Sequence, residues 1–196
     1  MRKLAVSRVF DHLCAAGTGE GVIAIERPGL GVATIMVRRG KSSEIAPAIK
    51  QHWDIDLVDG PVKSGIGRTS FIGTGNGRWL AVLETPPANF IAELQTRLKD
   101  VASVIDQSHA FGVLRLSGPG LLSTLEKGVQ IDLAPDIFKV GCAAVTNIAH
   151  LGVNLWKVDD APIFDFAIPR SLAGSFCHWL EVSAAVHGLA VHRSPL

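Results

Sequence analysis

Residues 113–120, VLRLSGPG, run from alternating apolar positions into a glycine-proline turn and then a short apolar helix, and residues 34–40, TIMVRRG, follow the same plan. WLAVLETPP at 79–87 and FDFAIPRS at 164–171 make a second such pair, each leading from a strand into a helix. The offset of roughly 80 residues is too long for a solenoid repeat and spans whole supersecondary units. Each half therefore reads β-α-β-β-α-β, the ferredoxin-like order, in which helices cover one face of an antiparallel sheet. The expectation is an α+β fold in which two related ferredoxin-like halves, about 21–108 and 109–196, pack together as a single domain, 21–196, behind an N-terminal arm, 1–20.

Working outward, the arm ends in the glycine-rich AAGTGEG and reads as an extended segment or a short helix whose order depends on a partner. GVIAIERPGLGVATIMVRRG holds two β-rich runs separated by a turn at Pro28 and Gly29, and a helix follows over about 42–52. RTSFIG and RWLAVLE read as a hairpin around GTGNG. After Pro86 and Pro87, the apolar residues Phe90, Ile91, Leu94 and Leu98 recur at helical spacing, which describes one face laid on a sheet. Further strands are predicted at ASVIDQS, FGVLRLSG, CAAVTNI, VNLWKVD and IFDFAIP. A short helix follows Pro119, a final helix covers about 170–187, and a return strand lies near 189–191.

Composition bounds the functions open to such a chain. With 196 residues and 47% hydrophobic content, a continuous core is available. Only 19% of residues are charged and the formal net charge is +1, so no electrostatic field is available to hold nucleic acid or an anionic membrane. The first residues lack the apolar stretch and cleavage site of a secretory signal, and no apolar run is long enough to span a bilayer. Three cysteines, Cys14, Cys142 and Cys177, are odd in number and lack paired spacing, which suits a reduced cytoplasm. Few charges and no tyrosine describe a chain that buries part of its surface in an assembly.

No constellation reads as catalytic, cofactor-binding or metal-binding. GTGNG at 73–77 joins two strands and lacks the helix that a dinucleotide fingerprint needs, so Asn76 and Gly77 read as a hairpin turn. SGPG at 117–120 opens a helix but has neither a P-loop lysine nor a third glycine, and Ser117 with Pro119 reads as a helix start by N-cap and first-turn proline. The GEG near Gly19 is a linker. Cys177 and His178 are helix neighbours about 100° apart and do not meet as a pair. His12 and Cys14 have no third ligand nearby, and His109, His150, His187 and His192 are scattered. Asp106, Asp132, Asp159, Asp160 and Asp165 read as turn and capping residues at strand ends.

The C-terminal half carries RLSGPG at 115–120, EKGVQIDL at 126–133 and the long segment VGCAAVTNIAHLGVNLWKVDDAPIFDFAIPRSLAGSFCHWLE at 140–181. Together these resemble the sarcosine oxidase gamma subunit family, most distinctively in KGVQIDL, in AHLGVNLW and from FDFAIPRS to HWLE. The same family looks like a distant copy of the folate-binding domain of glycine-cleavage aminomethyltransferases, where a segment similar to VIDQSHAFGVLRLSGPG, here 104–120, joins two halves. No folate-binding carboxylate of those enzymes aligns onto a position of this chain.

The resemblance implies a non-catalytic accessory subunit of a heterotetrameric complex that oxidatively demethylates sarcosine to glycine, with tetrahydrofolate as one-carbon acceptor. It places FAD, FMN and NAD in the larger subunits and assigns no cofactor to this chain. Its partners are then the alpha, beta and delta subunits, chiefly alpha, with self-association when isolated. Trp156, Phe164 and the exposed side of the final helix are the candidate contacts, since aromatic anchors are enriched at interfaces. The alternatives are a subunit of a related N-methyl amino acid dehydrogenase, a free-standing folate-binding or aminomethyltransferase-like protein, and a small regulatory binding module.

Overall fold

A computed structural model describes residues 8–193. The elements in chain order are β1 (Val22–Glu26), β2 (Gly31–Val37), α1 (Ser42–Trp53), β3 (Lys63–Ile66), β4 (Thr69–Gly75), β5 (Arg78–Leu83), α2 (Phe90–Leu98) and β6 (Ala102–Asp106). There follow β7 (Phe111–Ser117), α3 (Leu121–Leu125), β8 (Ala143–Ile148), β9 (Leu151–Asp159), β10 (Ile163–Pro169), a 3-10 turn (Arg170–Leu172), α4 (Ala173–Ala184) and β11 (Leu189–His192). The alternating and helical patterns of the sequence therefore become strands and helices close to where they were expected. β3 is the exception: KSGI is short, contains a glycine and has no alternation to mark it.

Two sheets form. One has six strands in the order β11-β1-β7-β10-β9-β8 and the other five in the order β3-β4-β5-β2-β6. Pairing is antiparallel except between β1 and β11. The turn at Pro28 and Gly29 does not fold β1 onto β2; it carries the chain from one sheet to the other, and β1 lies between β7 and β11. Local sequence pattern defines a strand's faces but not its lateral neighbours, which long-range register decides.

Each sheet buries one face under helices and the other against its counterpart. Phe164, Phe166, Leu114 and Leu116 pack with Leu121, Leu125, Phe176 and Leu180 of α3 and α4. Phe71, Trp79, Ala33 and Ile35 pack with Ile45, Ile49, Leu94 and Leu98 of α1 and α2. Between the sheets lie Val32, Ile72, Leu80 and Val82 on one side and Val113, Trp156 and Ala167 on the other. At roughly 25 cal/mol per Å2, these burials are the main force joining the layers. The segment before β1 contributes Phe10 and Leu13, 3% and 1% exposed, to the α3–α4 core, and Ala16 bridges to Leu189.

Two contact expectations are corrected here. Trp156 and Phe164 are 3% and 0% exposed, so this chain's own core uses both and neither is available to a partner. The reason is the double coverage of the six-stranded sheet: in β9 and β10 both faces are buried, so an aromatic on either face becomes core. The outer side of α4 does remain open, with Val182 on it and Val186 just past its end both largely exposed.

Candidate functional site

A recess lies at one end of the seam between the sheets, where the β1–β2 turn, the proline pair before α2 and the β6–β7 turn converge. It has a cavity of about 320 Å3, the lower end of the range for small-molecule sites. Pro86, Pro87, Phe90 and Ile91 form an apolar wall, and Glu26, Asp106, Ser108, His109 and Arg170 supply polar groups. The carboxylates in it serve local backbone. Glu26 Oε1 accepts the Val9 N–H at 2.8 Å, and Asp106 Oδ1 accepts the Ser108 N–H at 2.9 Å. That second bond holds the Asp106 carboxyl below its ordinary value. The Ser108 hydroxyl accepts the Val32 N–H at 3.1 Å and donates back to Val32 O at 3.3 Å, fastening the β6–β7 turn to β2.

Beside this recess, the seam contains an ion network. Asp165, in the middle of β10, accepts from Arg115 Nε at 2.7 Å and Nη2 at 2.8 Å, and from Arg27 Nη1 at 3.2 Å. Arg27 also pairs with Glu84. The bidentate bond raises the Arg115 pKa further above its ordinary value, so the guanidinium is permanently charged. Asp165 is thus a correction: it was expected at a strand end or turn, yet it is a buried strand residue with three charge-assisted bonds. Asp106, Asp132 and Asp159 do hold turns, accepting the N–H two residues onward in each case.

The glycine-rich segments have structural explanations. At GTGNG the positive φ falls on Gly75 and Gly77, not on Asn76, and β4 and β5 shift register between Gly73 and Gly75. At SGPG, Ser117 ends β7 and Gly120 is the N-cap of α3, which corrects the expectation of a Ser117 cap. Gly118 has φ 115°, and a Cβ there would stand 2.4 Å from Gly21 O; a Cβ on Gly120 would stand 2.7 Å from His187 Cβ. The Gly120 N–H donates to Gly21 O at 2.7 Å, and Gly21 N–H to His187 O at 3.0 Å. These glycines let three chain segments meet at backbone distance.

The thiols and imidazoles stay apart. Cys177 is buried, and burial first, then Glu181, pushes its thiol up to about 11, away from nucleophilic use at neutral pH. His178 beside it is exposed, turned about 100° away around α4. Cys14 is exposed, and its N–H donates to Glu181 Oε1 at 2.7 Å, which fastens the N-terminal segment to α4. Among the described residues no group of three or more His, Cys, Asp or Glu side chains could hold a metal ion. No helix among them is long and apolar enough to cross a membrane.

No protein-family model matches the chain. It is 32% identical over 123 residues to a sarcosine oxidase subunit gamma from Corynebacterium sp. (strain P-1), an alignment spanning 62% of this chain and 59% of that relative, less than two thirds of its length. It is 31% identical over 153 residues to the protein of the same name from Corynebacterium sp. (strain U-96), spanning 74% of this chain and 73% of the relative. A third, from Arthrobacter sp., is 25% identical over 183 residues, spanning 92% and 88%. Among solved structures, a chain of the heterotetrameric sarcosine oxidase from Corynebacterium sp. U-96 superposes with TM-score 0.76 at 24% identity, covering 87% of this chain and 88% of that one. The glycine cleavage system aminomethyltransferase T from Bartonella henselae gives TM-score 0.63 at 12% identity, covering 88% of this chain and 47% of that one. At such identities the two superpositions establish the fold: a mixed α+β fold with two sheets, shared with both proteins.

Proposed function

The chain belongs to the sarcosine oxidase gamma subunit family, and we propose that it is the non-catalytic accessory subunit of a heterotetrameric sarcosine oxidase. The observation that carries this reading is the 31% identity over 153 residues to a gamma subunit, spread over nearly three quarters of both chains. The seam is consistent with it physically, because its paired ionic groups bond to one another and the recess carboxylates accept backbone N–H groups. In this reading the assembly oxidatively demethylates sarcosine to glycine in the cytoplasm, with tetrahydrofolate accepting the one-carbon unit. FAD, FMN and NAD reside in the larger subunits. This chain binds chiefly the alpha subunit, beside beta and delta, and self-associates when alone. A standard interface takes roughly 800 Å2 from each partner. That is under a tenth of this chain's 10233 Å2, so a single face suffices for the role.

We also read the two sheets as two copies of one ferredoxin-like unit, about 21–108 and 109–196, behind the arm 1–20. The order β6-β2-β5-β4, with α1 and α2 as crossovers, matches that plan, and β3 is an addition at its edge. The order β7-β10-β9, with α3 and α4, matches it again, with β8 added at one edge and β1 inserted before β11.

Co-expression of the tagged chain with the neighbouring open reading frames tests the function. Larger subunits retained in fixed ratio, with a flavin spectrum that sarcosine bleaches, uphold it. A chain that elutes alone and colourless overturns it.

A further inference from the structure

A second, much smaller recess lies in the seam between the sheets, beside the Arg27–Asp165–Arg115 network. Arg27, Lys63, Arg68 and Arg115 converge on it together with Glu84 and Asp165. The bonds there are unequally shared. Asp165 is saturated by the two guanidiniums, and Glu84 is taken by Arg27, so these four charges neutralise one another. Arg68 donates from its side chain only to the neutral Thr85 Oγ1, at 2.8 Å, and the Lys63 ammonium makes no hydrogen bond or ion pair among the described residues. Four cations face two carboxylates in one recess, a larger excess than the formal net charge of +1 on the whole chain. Such a focus of one sign attracts an oxyanion, and a guanidinium beside an ammonium suits a carboxylate.

The size of the recess decides what brings that carboxylate. Its cavity is about 30 Å3, about twice what one water requires. A carboxylate head fits, whereas the body of a metabolite does not, since small-molecule sites enclose about 300 Å3 or more. We propose that Lys63 and Arg68 form a carboxylate-binding site whose occupant is a glutamate or aspartate side chain on the surface of a partner subunit. This rests on the accessory-subunit reading and adds to it the point of electrostatic docking.

The test co-expresses tagged wild type, Lys63→Glu/Arg68→Glu and the neutral Lys63→Met/Arg68→Gln with the neighbouring subunits, and measures the flavin-bearing partner retained per tagged chain. The charge reversal is expected to lower retention about tenfold or more, the neutral pair by less, and wild-type retention is expected to fall as salt rises. If the reversal fails to fold by circular dichroism, the neutral pair is read instead. Retention equal to wild type in whichever folded variant is read, while wild type captures its partner, overturns the docking site and leaves the accessory role standing. Wild type capturing no partner overturns both. A third arm titrates the isolated chain with sodium acetate. An acetate-dependent rise in the unfolding midpoint that the double variant lacks, with partner retention unchanged, assigns the site to free carboxylates and overturns the docking role.

Discussion

Asp165 and Arg115 stand directly opposite each other on β10 and β7, and the guanidinium bonds both carboxylate oxygens, Nε to Oδ1 at 2.7 Å and Nη2 to Oδ2 at 2.8 Å. The pair sits where the six-stranded sheet meets the five-stranded one, with Asp165 5% exposed and Arg27 completing its coordination. Removing the carboxylate strands the Arg115 guanidinium in a partly dry seam and takes one of the two carboxylates that Arg27 pairs with. Asp165→Ala is expected to destabilise the chain by about 3 kcal/mol, and Asp165→Leu/Arg115→Met, which removes charge from both sides, by less. Urea unfolding of the three proteins checks this, and a double substitution worse than the single one would refute the account.

Asp165 also shows what the sequence could and could not reveal. In IFDFAIP, Phe164, Phe166 and Ile168 alternate with Asp165 and Ala167, so the apolar face, the strand and its helix-covered side were all legible. An Asp on the other face of an antiparallel strand ordinarily points to water. Here that face meets a second sheet, and nothing local to the strand records it. The same gap explains Trp156, read as a partner contact and found in the inter-sheet core. It explains β1 as well, whose alternation was plain while its place between β7 and β11 was not. β3 was lost for a different reason: four residues with a glycine carry too little pattern to recognise.

Two glycines should respond to substitution in opposite directions. Gly118 combines φ 115° with a Cβ position 2.4 Å from Gly21 O, so Gly118→Ala adds backbone strain and a clash with main chain, costing about 2–3 kcal/mol. Gly174 lies in the first turn of α4 with nothing within 4 Å of its Cβ position. Gly174→Ala should therefore stabilise the isolated chain by up to about 1 kcal/mol. Thermal unfolding of both variants reads the contrast directly.

The Cys177 thiol gives stability a specific dependence at alkaline pH. Its folded value is raised from 9.0 to about 11, chiefly by burial, so the native state favours the neutral thiol. The stabilising difference is complete below about pH 9 and disappears as pH rises through about 11. Because the chain contains no tyrosine, no phenol titrates across that window. Unfolding free energies at pH 8 and pH 11 should fall more for wild type than for Cys177→Ala. Equal slopes would show that the buried thiol does not contribute. At neutral pH a thiol reagent should label exposed Cys14 in native protein and reach Cys177 only after unfolding.

The segment before β1 carries the last prediction. Phe10 and Leu13 are buried beside Val22, Leu116 and Leu180, the Cys14 N–H bonds Glu181, and Ala16 exchanges two backbone bonds with Leu189. A dispensable extension would bury no side chain of this size, and its removal would leave the unfolding midpoint unchanged. Phe10→Ala should instead cost about 3–5 kcal/mol and Leu13→Ala about 2–5 kcal/mol, because each leaves a cavity in the α3–α4 core. The two residues sit in one cluster, so the double variant should depart from the sum of the single effects. Urea midpoints near wild type for both single variants would mean that the domain holds without this segment, and that its docking on α4 follows folding instead of contributing to it.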